Sequence, residues 1–336
     1  MVKIALDTLG GDHSPDANIA GAVAALKAFP DLELVLIGDQ AVLTPALQKE
    51  NIPANRASIV HAPKVIGLNE APTLAVFHQK DSSLVKSLDL LKEDPSIQGL
   101  VSLGSSGALL VGSVVKIGKL PGVTRPAFCP LLPTMNHHFV AVCDSGASSE
   151  CSKDELLQFG IMASEYLKKA YGIASPRVAL LNIGTEEGKG DTLRKEAYPL
   201  FKASPYINFV GNMEARELTS GDYDVVACDG FSGNVLIKST EGTGIGLLKL
   251  LKTTFFKNFK NKMGALFLKK DIYAIKDFMD YNNYGGAVML GLQKIVIKGH
   301  GSGNSASVYH CIEQAYNGAK NGLIDSLKDA FKTLEK

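Results

Sequence analysis

The feature that most constrains the fold is a succession of short, nearly continuous apolar runs rich in Val, Ile and Leu. They lie at 3–6 (KIAL), 32–38 (LELVLIG), 58–62 (SIVHA), 99–104 (GLVSLG), 138–144 (HFVAVCD), 177–184 (RVALLNIG), 207–212 (INFVGN), 224–230 (DVVACDG) and 294–301 (KIVIKGHG). Strands that face water on one side alternate apolar and polar residues. Runs lacking that alternation are covered on both faces, as in a mostly parallel sheet. Helical patterns over 17–29, 82–91, 153–171 and 305–317 separate them. The alternation predicts an α/β fold: a three-layer, mostly parallel sheet with helices on both faces and right-handed crossovers. No repeat or linker divides the chain, so a single domain over 1–336 is expected. One strand-free helical insertion, 244–284, is expected to break near Gly264.

Glycine-rich turns follow five of the predicted strands: GGDH (10–13), GSSGA (104–108), NIGTEEGKG (182–190), DGFSGN (229–234) and GHGSGN (299–304). In one parallel sheet those strand ends share an edge, so the loops should converge on a single cleft. GSSGA is free of acids and opens a helix. Ser105, Ser106 and Gly107 read as a phosphate cradle, or more simply as a serine N-cap. GHGSGN is also acid-free, with Lys298 and His300 flanking its first glycine and Gly301 following. NIGTEEGKG sets Lys189 between glycines, and DGFSGN brings Asp229, Gly233 and Asn234. The first turn differs. It has the strand–turn–helix form of an anion cradle, yet Asp7, Asp12 and Asp16 would repel an anion. It therefore reads as another wall of the same cleft. Gly10 and Gly11 make room for substrate, Asp7 and Asp12 orient His13 or nearby backbone, and Ser14 and Pro15 start the helix.

Several function classes are disfavoured. A formal net charge of +1 gives no basis for nucleic-acid binding. Five cysteines without a CxxC pair read as reduced, mostly buried thiols. There is no metal-ligand spacing, no GxGxxG after the first strand, no GxSxG and no GxxxxGK[ST], so neither metal nor cofactor is expected. No apolar run approaches the roughly 18–20 residues of a membrane span. Met1 leads directly into a strand, leaving no room for a signal peptide, so a cytoplasmic protein is expected.

The insertion has its own pattern. Residues 244–270 hold seven lysines (Lys249, Lys252, Lys257, Lys260, Lys262, Lys269, Lys270) and no acid. Leu247, Leu251, Phe255, Phe259 and Met263 recur four apart, with Lys249, Lys257 and Lys260 opposite. A cationic amphipathic helix suits a membrane surface or an acidic partner. It equally suits a subunit interface with a solvated lysine face.

Together, DxxGGDHxP, HAPxVIG, KDSSL, GALL, RPA, LLPT, LLNIGxExxKG, FVGNxE, CDGFxGN, EG, YGGA and IKGHG resemble the phosphate acyltransferases of bacterial phospholipid synthesis (PlsX type), from Asp7 to His300. The resemblance implies a fold like the isocitrate dehydrogenases and phosphotransacetylases. It implies a homodimer that transfers a long-chain acyl group from acyl-acyl-carrier-protein to inorganic phosphate at the inner face of the membrane. The product would pass to the membrane glycerol-3-phosphate acyltransferase. The helical segment would carry Leu251, Phe255, Phe256, Phe259, Lys257 and Lys260 to the membrane or carrier protein, and Arg194 and Lys195 would add docking charge. Two departures stand out: Ser105 and Ser148 replace the usual asparagines of the family's GNTGA and DxGAN.

Such a reaction needs no enzyme nucleophile, because phosphate attacks. Its demands are phosphate binding, oxyanion stabilisation and proton management. The turn Ser105–Gly107, Lys189 and His300 are expected to hold phosphate, with His13 and Asn234 at the oxyanion or proton. The alternatives are an acyl-CoA-dependent phosphotransacetylase and a non-catalytic carrier-protein scaffold at the membrane.

Overall fold

A computed structural model describes residues 1–67, 70–278 and 281–334. In chain order its strands are β1 (Val2–Asp7), β2 (Leu32–Gly38), β3 (Ala57–His61), β4 (Ile97–Ser102), β5 (Ala127–Cys129), β6 (Leu131–Pro133), β7 (Phe139–Cys143), β8 (Arg177–Asn182), β9 (Asn208–Glu214), β10 (Val225–Ala227), β11 (Ala287–Leu290) and β12 (Ile295–Lys298). They form two sheets, where a single sheet edge was expected. A seven-stranded sheet has the order β3-β2-β1-β4-β12-β11-β5, and a five-stranded sheet the order β6-β7-β10-β8-β9. In the first sheet only the pairings of β11 are antiparallel, and in the second only β6–β7.

The apolar runs behave as their composition requires. Ile4, Leu6, Leu36, Ile37, Leu100, Val101, Val296 and Ile297 are fully or almost fully buried, because helices cover both faces of the first sheet. Helix Lys153–Tyr171 covers the second sheet, burying Phe159 and Tyr166. Its ends follow sequence rules: Ser152 and Glu155 form a capping box, and Gly172 closes it with φ of 71°. The first helix does not follow them. It spans Asp16–Ala28 without a side-chain cap. Ser14 instead donates its hydroxyl to Leu9 O at 2.9 Å.

The helical segment begins earlier than residue 244. A single 26-residue helix, Gly230–Phe255, starts directly at the DGFSGN turn. Helices Phe259–Phe267 and Lys269–Phe278 follow. The first break falls at 256–258, where Asn258 caps the next helix by accepting from Asn261 N at 2.9 Å. Gly264 lies inside that helix. The stripe Leu247, Leu251, Phe255, Phe259, Met263 is therefore split between two helices. Leu251 and Phe255 are half-buried, while Phe256, Phe259, Leu266 and Phe267 are 60–82% exposed.

Candidate active site at the junction of the sheets

The register of the first sheet sets Asp7, Ser102 and Lys298 side by side at the ends of β1, β4 and β12. Ser102 Oγ donates to Asp7 Oδ2 at 2.8 Å, and Leu9 N donates to Oδ1 at 3.3 Å. Burial pushes the Asp7 carboxyl up, against these hydrogen bonds. Asp7 thus organises backbone and a neighbouring strand; it makes no hydrogen bond to His13. Gly10 sits where a Cβ would lie 2.4 Å from Gly104 N, and Gly11, with φ of +99°, backs onto Gly301 O and Leu103. Their small size lets loops pack on each other, which corrects the reading that they clear space for substrate. Asp12 N donates to Gly301 O at 2.7 Å. The first turn therefore buttresses the GHG turn, and Asp12 and His13 are exposed.

Ser105 is buried and caps helix Ser106–Gly112, accepting from Ala108 N at 3.4 Å. Gly107 packs under Pro72, whose Cγ would be 2.7 Å from an added Cβ. Ser106 is the member of this turn that reaches the large cavity described below.

In the second sheet, β7 and β10 end level with one another, and β8 runs two residues further. Asp144, fully buried, follows β7. Its carboxylate accepts from the backbone N–H of Phe128, Gly146, Ala147 and Ser148 and from the Ser148 hydroxyl, at 2.9–3.2 Å. Because Phe128 belongs to β5, Asp144 ties the two sheets together. Burial raises its carboxyl above the usual range, against those donors. Gly230 and Gly233 press on this loop: an added Cβ would lie 2.1 Å from Ser148 O and 2.0 Å from Asp144 O, respectively. Gly233 is thus a packing glycine.

Asp229 is not free for substrate. It caps the long helix through Ser232 N at 2.8 Å and pairs with Arg194. Burial pushes its carboxyl up, but the hydrogen bonds of Ser232 and Arg194 hold it below the usual range. Arg194 is accordingly an internal cation with 11% of its side chain exposed, which corrects its reading as a docking charge. Lys189 is exposed and stands apart from the cavity wall.

The loops of the two sheets do meet, at one cavity of about 1020 Å³. Ser106, Lys298, His300 and Gly301 come to it from the first sheet, and Ser145, Gly146 and Asn234 from the second. Its remaining wall is largely apolar, including Phe128, Leu131, Leu132, Met135, Ile237 and Leu248. Of the residues expected at the chemistry, Asn234 and His300 line it, whereas His13 and Lys189 do not. His300 Nδ1 accepts from Ser302 N at 3.3 Å and lies 2.9 Å from Ser302 Oγ. Burial first, then nearby Lys238, lowers its pKa, which favours the uncharged ring.

Sequence reasoning passed over Lys298 and Asp144 as site residues. Their signal was a polar residue at or just past the end of an otherwise apolar strand. The two departures also find a local account. Ser105 is a cap, a position where Ser and Asn are about equally good. Ser148 gives its hydroxyl to Asp144.

The fold that carries this cavity is similar to that of solved phosphotransacetylases. The EutD phosphotransacetylase from Staphylococcus aureus aligns with a TM-score of 0.63 at 16% identity, over 95% of this chain and 94% of that one. A branched-chain phosphotransacylase from Enterococcus faecalis aligns at 0.61 and 15%, over 96% and 100%. At those identities the likeness is one of fold. Sequence narrows the class. The "Fatty acid synthesis protein" family model matches residues 2–326. The phosphate acyltransferase of Halalkalibacterium halodurans is 44% identical over 94% of this chain and 92% of its own length. That of Alkaliphilus oremlandii is 40% identical over 99% and 98%. The chain belongs to this family of enzymes, the phosphate acyltransferases.

Proposed function

We propose that the chain transfers a long-chain acyl group from acyl-acyl-carrier-protein to inorganic phosphate, supplying acyl phosphate for phospholipid synthesis. The observation that carries this reading is the cavity of about 1020 Å³, polar where the strand-end loops meet and apolar along the rest of its wall. That exceeds the space an acetyl group needs and lies at the upper end of small-ligand pockets. A phosphate oxygen attacks the thioester carbonyl, an oxyanion forms, the C–S bond breaks, and the thiol takes up a proton as it leaves. Asn234 and Ser106 are hydrogen-bond donors on the wall, suited to phosphate or the oxyanion. His300, whose uncharged form is favoured by burial, is suited to accept or pass a proton.

The exposed Phe256, Phe259, Leu266 and Phe267, interspersed with lysines, support a peripheral membrane or carrier-protein contact, and a homodimer could cover part of the same surface. Among the described residues no helix is long and apolar enough to cross a membrane. The likeness to phosphotransacetylases favours one rival, an acyl-CoA-dependent activity. Purified protein should be given phosphate with palmitoyl-carrier protein or with acetyl-CoA, and acyl phosphate trapped as hydroxamate. Product from the first donor alone supports the proposal. Product from acetyl-CoA alone supports the rival, and product from neither supports a non-catalytic scaffold.

A further inference from the structure

The cavity has to hold an anion, yet its lysines are not equivalent. Among the described residues two line it, Lys238 and Lys298. Lys238 is exposed and paired with Glu241 at 2.7 Å. Lys298 is half-buried at the end of β12. Its Nζ donates to the carbonyls of Gly299 and of Leu103, the latter at 3.4 Å. An ammonium has three hydrogens. Among the described residues no further acceptor meets the third, and no carboxylate lies within ion-pair distance. Gly299 opens GHGSGN and Leu103 immediately precedes GSSGA, so the ammonium bridges the two acid-free loops. A cation partly withdrawn from water without a counter-ion is costly unless a ligand supplies one.

We propose that Lys298 is the cation that binds the tetrahedral phosphate of the substrate in this cavity. The inference rests on the acyl-phosphate reading above and adds a residue to it. Phosphate reaches such a site as the free ion or as the phosphodiester of the donor's prosthetic arm, and the GSSGA and GHGSGN turns favour the free ion.

The groups facing the ammonium are Asp7 and Asp12 from the first strand and turn, Cys311 from helix Ser305–Lys320, and Lys238 from the long helix. Burial pulls the Lys298 pKa down to about 8, and the two aspartates act in the opposite direction. Cys311, pushed up by burial to about 12, stays neutral near that pH.

Three arms test the assignment. Lys298→Met should raise the KM for phosphate at least about tenfold, the loss expected for one charge-assisted hydrogen bond. It should leave the KM for acyl donor within about twofold, and Lys298→Arg should recover most of the loss. A rise in donor KM alone would assign the ammonium to the prosthetic arm and overturn the proposal. Equilibrium binding of inorganic phosphate by calorimetry needs no acyl donor. It distinguishes failure of this site from failure of the acyltransferase reading, and unchanged phosphate affinity in Lys298→Met refutes the inference. Should the methionine variant not fold, sulfate binding to the wild-type protein decides, since sulfate keeps its charge. Affinity should fall about tenfold from pH 7 to pH 9 as the ammonium loses its proton. A flat profile overturns the proposal.

Discussion

Arg194→Ala probes how the second-sheet side of the site is held. Arg194 Nη2 donates to the Asp229 carboxylate and to Ser232 Oγ at 3.2 Å, and Nη1 donates to Asp191 at 2.8 Å. With 11% of the Arg194 side chain and 9% of the Asp229 side chain exposed, solvent screens the pair weakly. Removing the cation strands a buried carboxylate that keeps only its hydrogen bonds with Ser232. Breaking such a pair costs about 3–5 kcal/mol. Unfolding entropy of about 2.1 cal/mol/K per residue makes that a fall in Tm of roughly 4–7 °C for a chain of 336 residues. The chain has no tryptophan, so calorimetry or circular dichroism is the assay. The sign of the pH dependence follows from the lowered Asp229 carboxyl. Its stabilisation is complete above the unfolded carboxyl pKa and is lost as pH falls through the folded one. The gap between wild type and variant should be full at pH 7 and close below about pH 4. A variant within about 1 °C of wild type, with a raised KM for acyl-carrier protein, would refute this reasoning and restore Arg194 as a docking charge.

Gly233→Ala sets a Cβ 2.0 Å from Asp144 O and 2.8 Å from Cys228 Sγ. Since backbone must move, thermal unfolding should report a loss of at least about 2 kcal/mol. Ser105→Ala removes the cap on Ala108 N and should cost about 1 kcal/mol, while Ser105→Asn should stay within a few tenths, both read by urea denaturation. Equal losses for the two would mean that the hydroxyl does something other than cap. Replacing Phe256 and Phe259 together by Ser should leave Tm within about 1 °C, because the two are 60% and 77% exposed. It should lower co-sedimentation with anionic vesicles, and unchanged vesicle binding would remove these rings from the membrane contact.

The strands that sequence reading located best are those with the longest apolar runs. The run 32–38 coincides with β2, and 177–184 contains β8. The strands it missed, β5, β6 and β11, are three or four residues long, a length at which periodicity is a weak signal. Two of them, β5 and β6, are where the chain passes from one sheet to the other. Missing them merged two sheets into one and made five loops equivalent. The same limit governed the site. A glycine in a turn reads as room for a ligand, but what Gly10, Gly107 and Gly233 accommodate is Gly104, Pro72 and Asp144. Acidic residues read as ligand-facing or solvated, yet Asp229 is consumed by Arg194, 35 residues away in sequence.

Taken alone, the amino-acid order determined the α/β class, the capping box at Ser152 and the glycine turns at the strand ends. It also carried the family resemblance. Each is set by residues near one another in the chain, or by a pattern repeated along it. The tertiary structure alone decided that β1, β4 and β12 bring Asp7, Ser102 and Lys298 abreast and that Asp144 locks β7 to β5. It decided too that His300 and Asn234, from different sheets, share a cavity that excludes His13 and Lys189. Those outcomes depend on sheet order and register, and a local pattern carries no record of which strand will lie beside which.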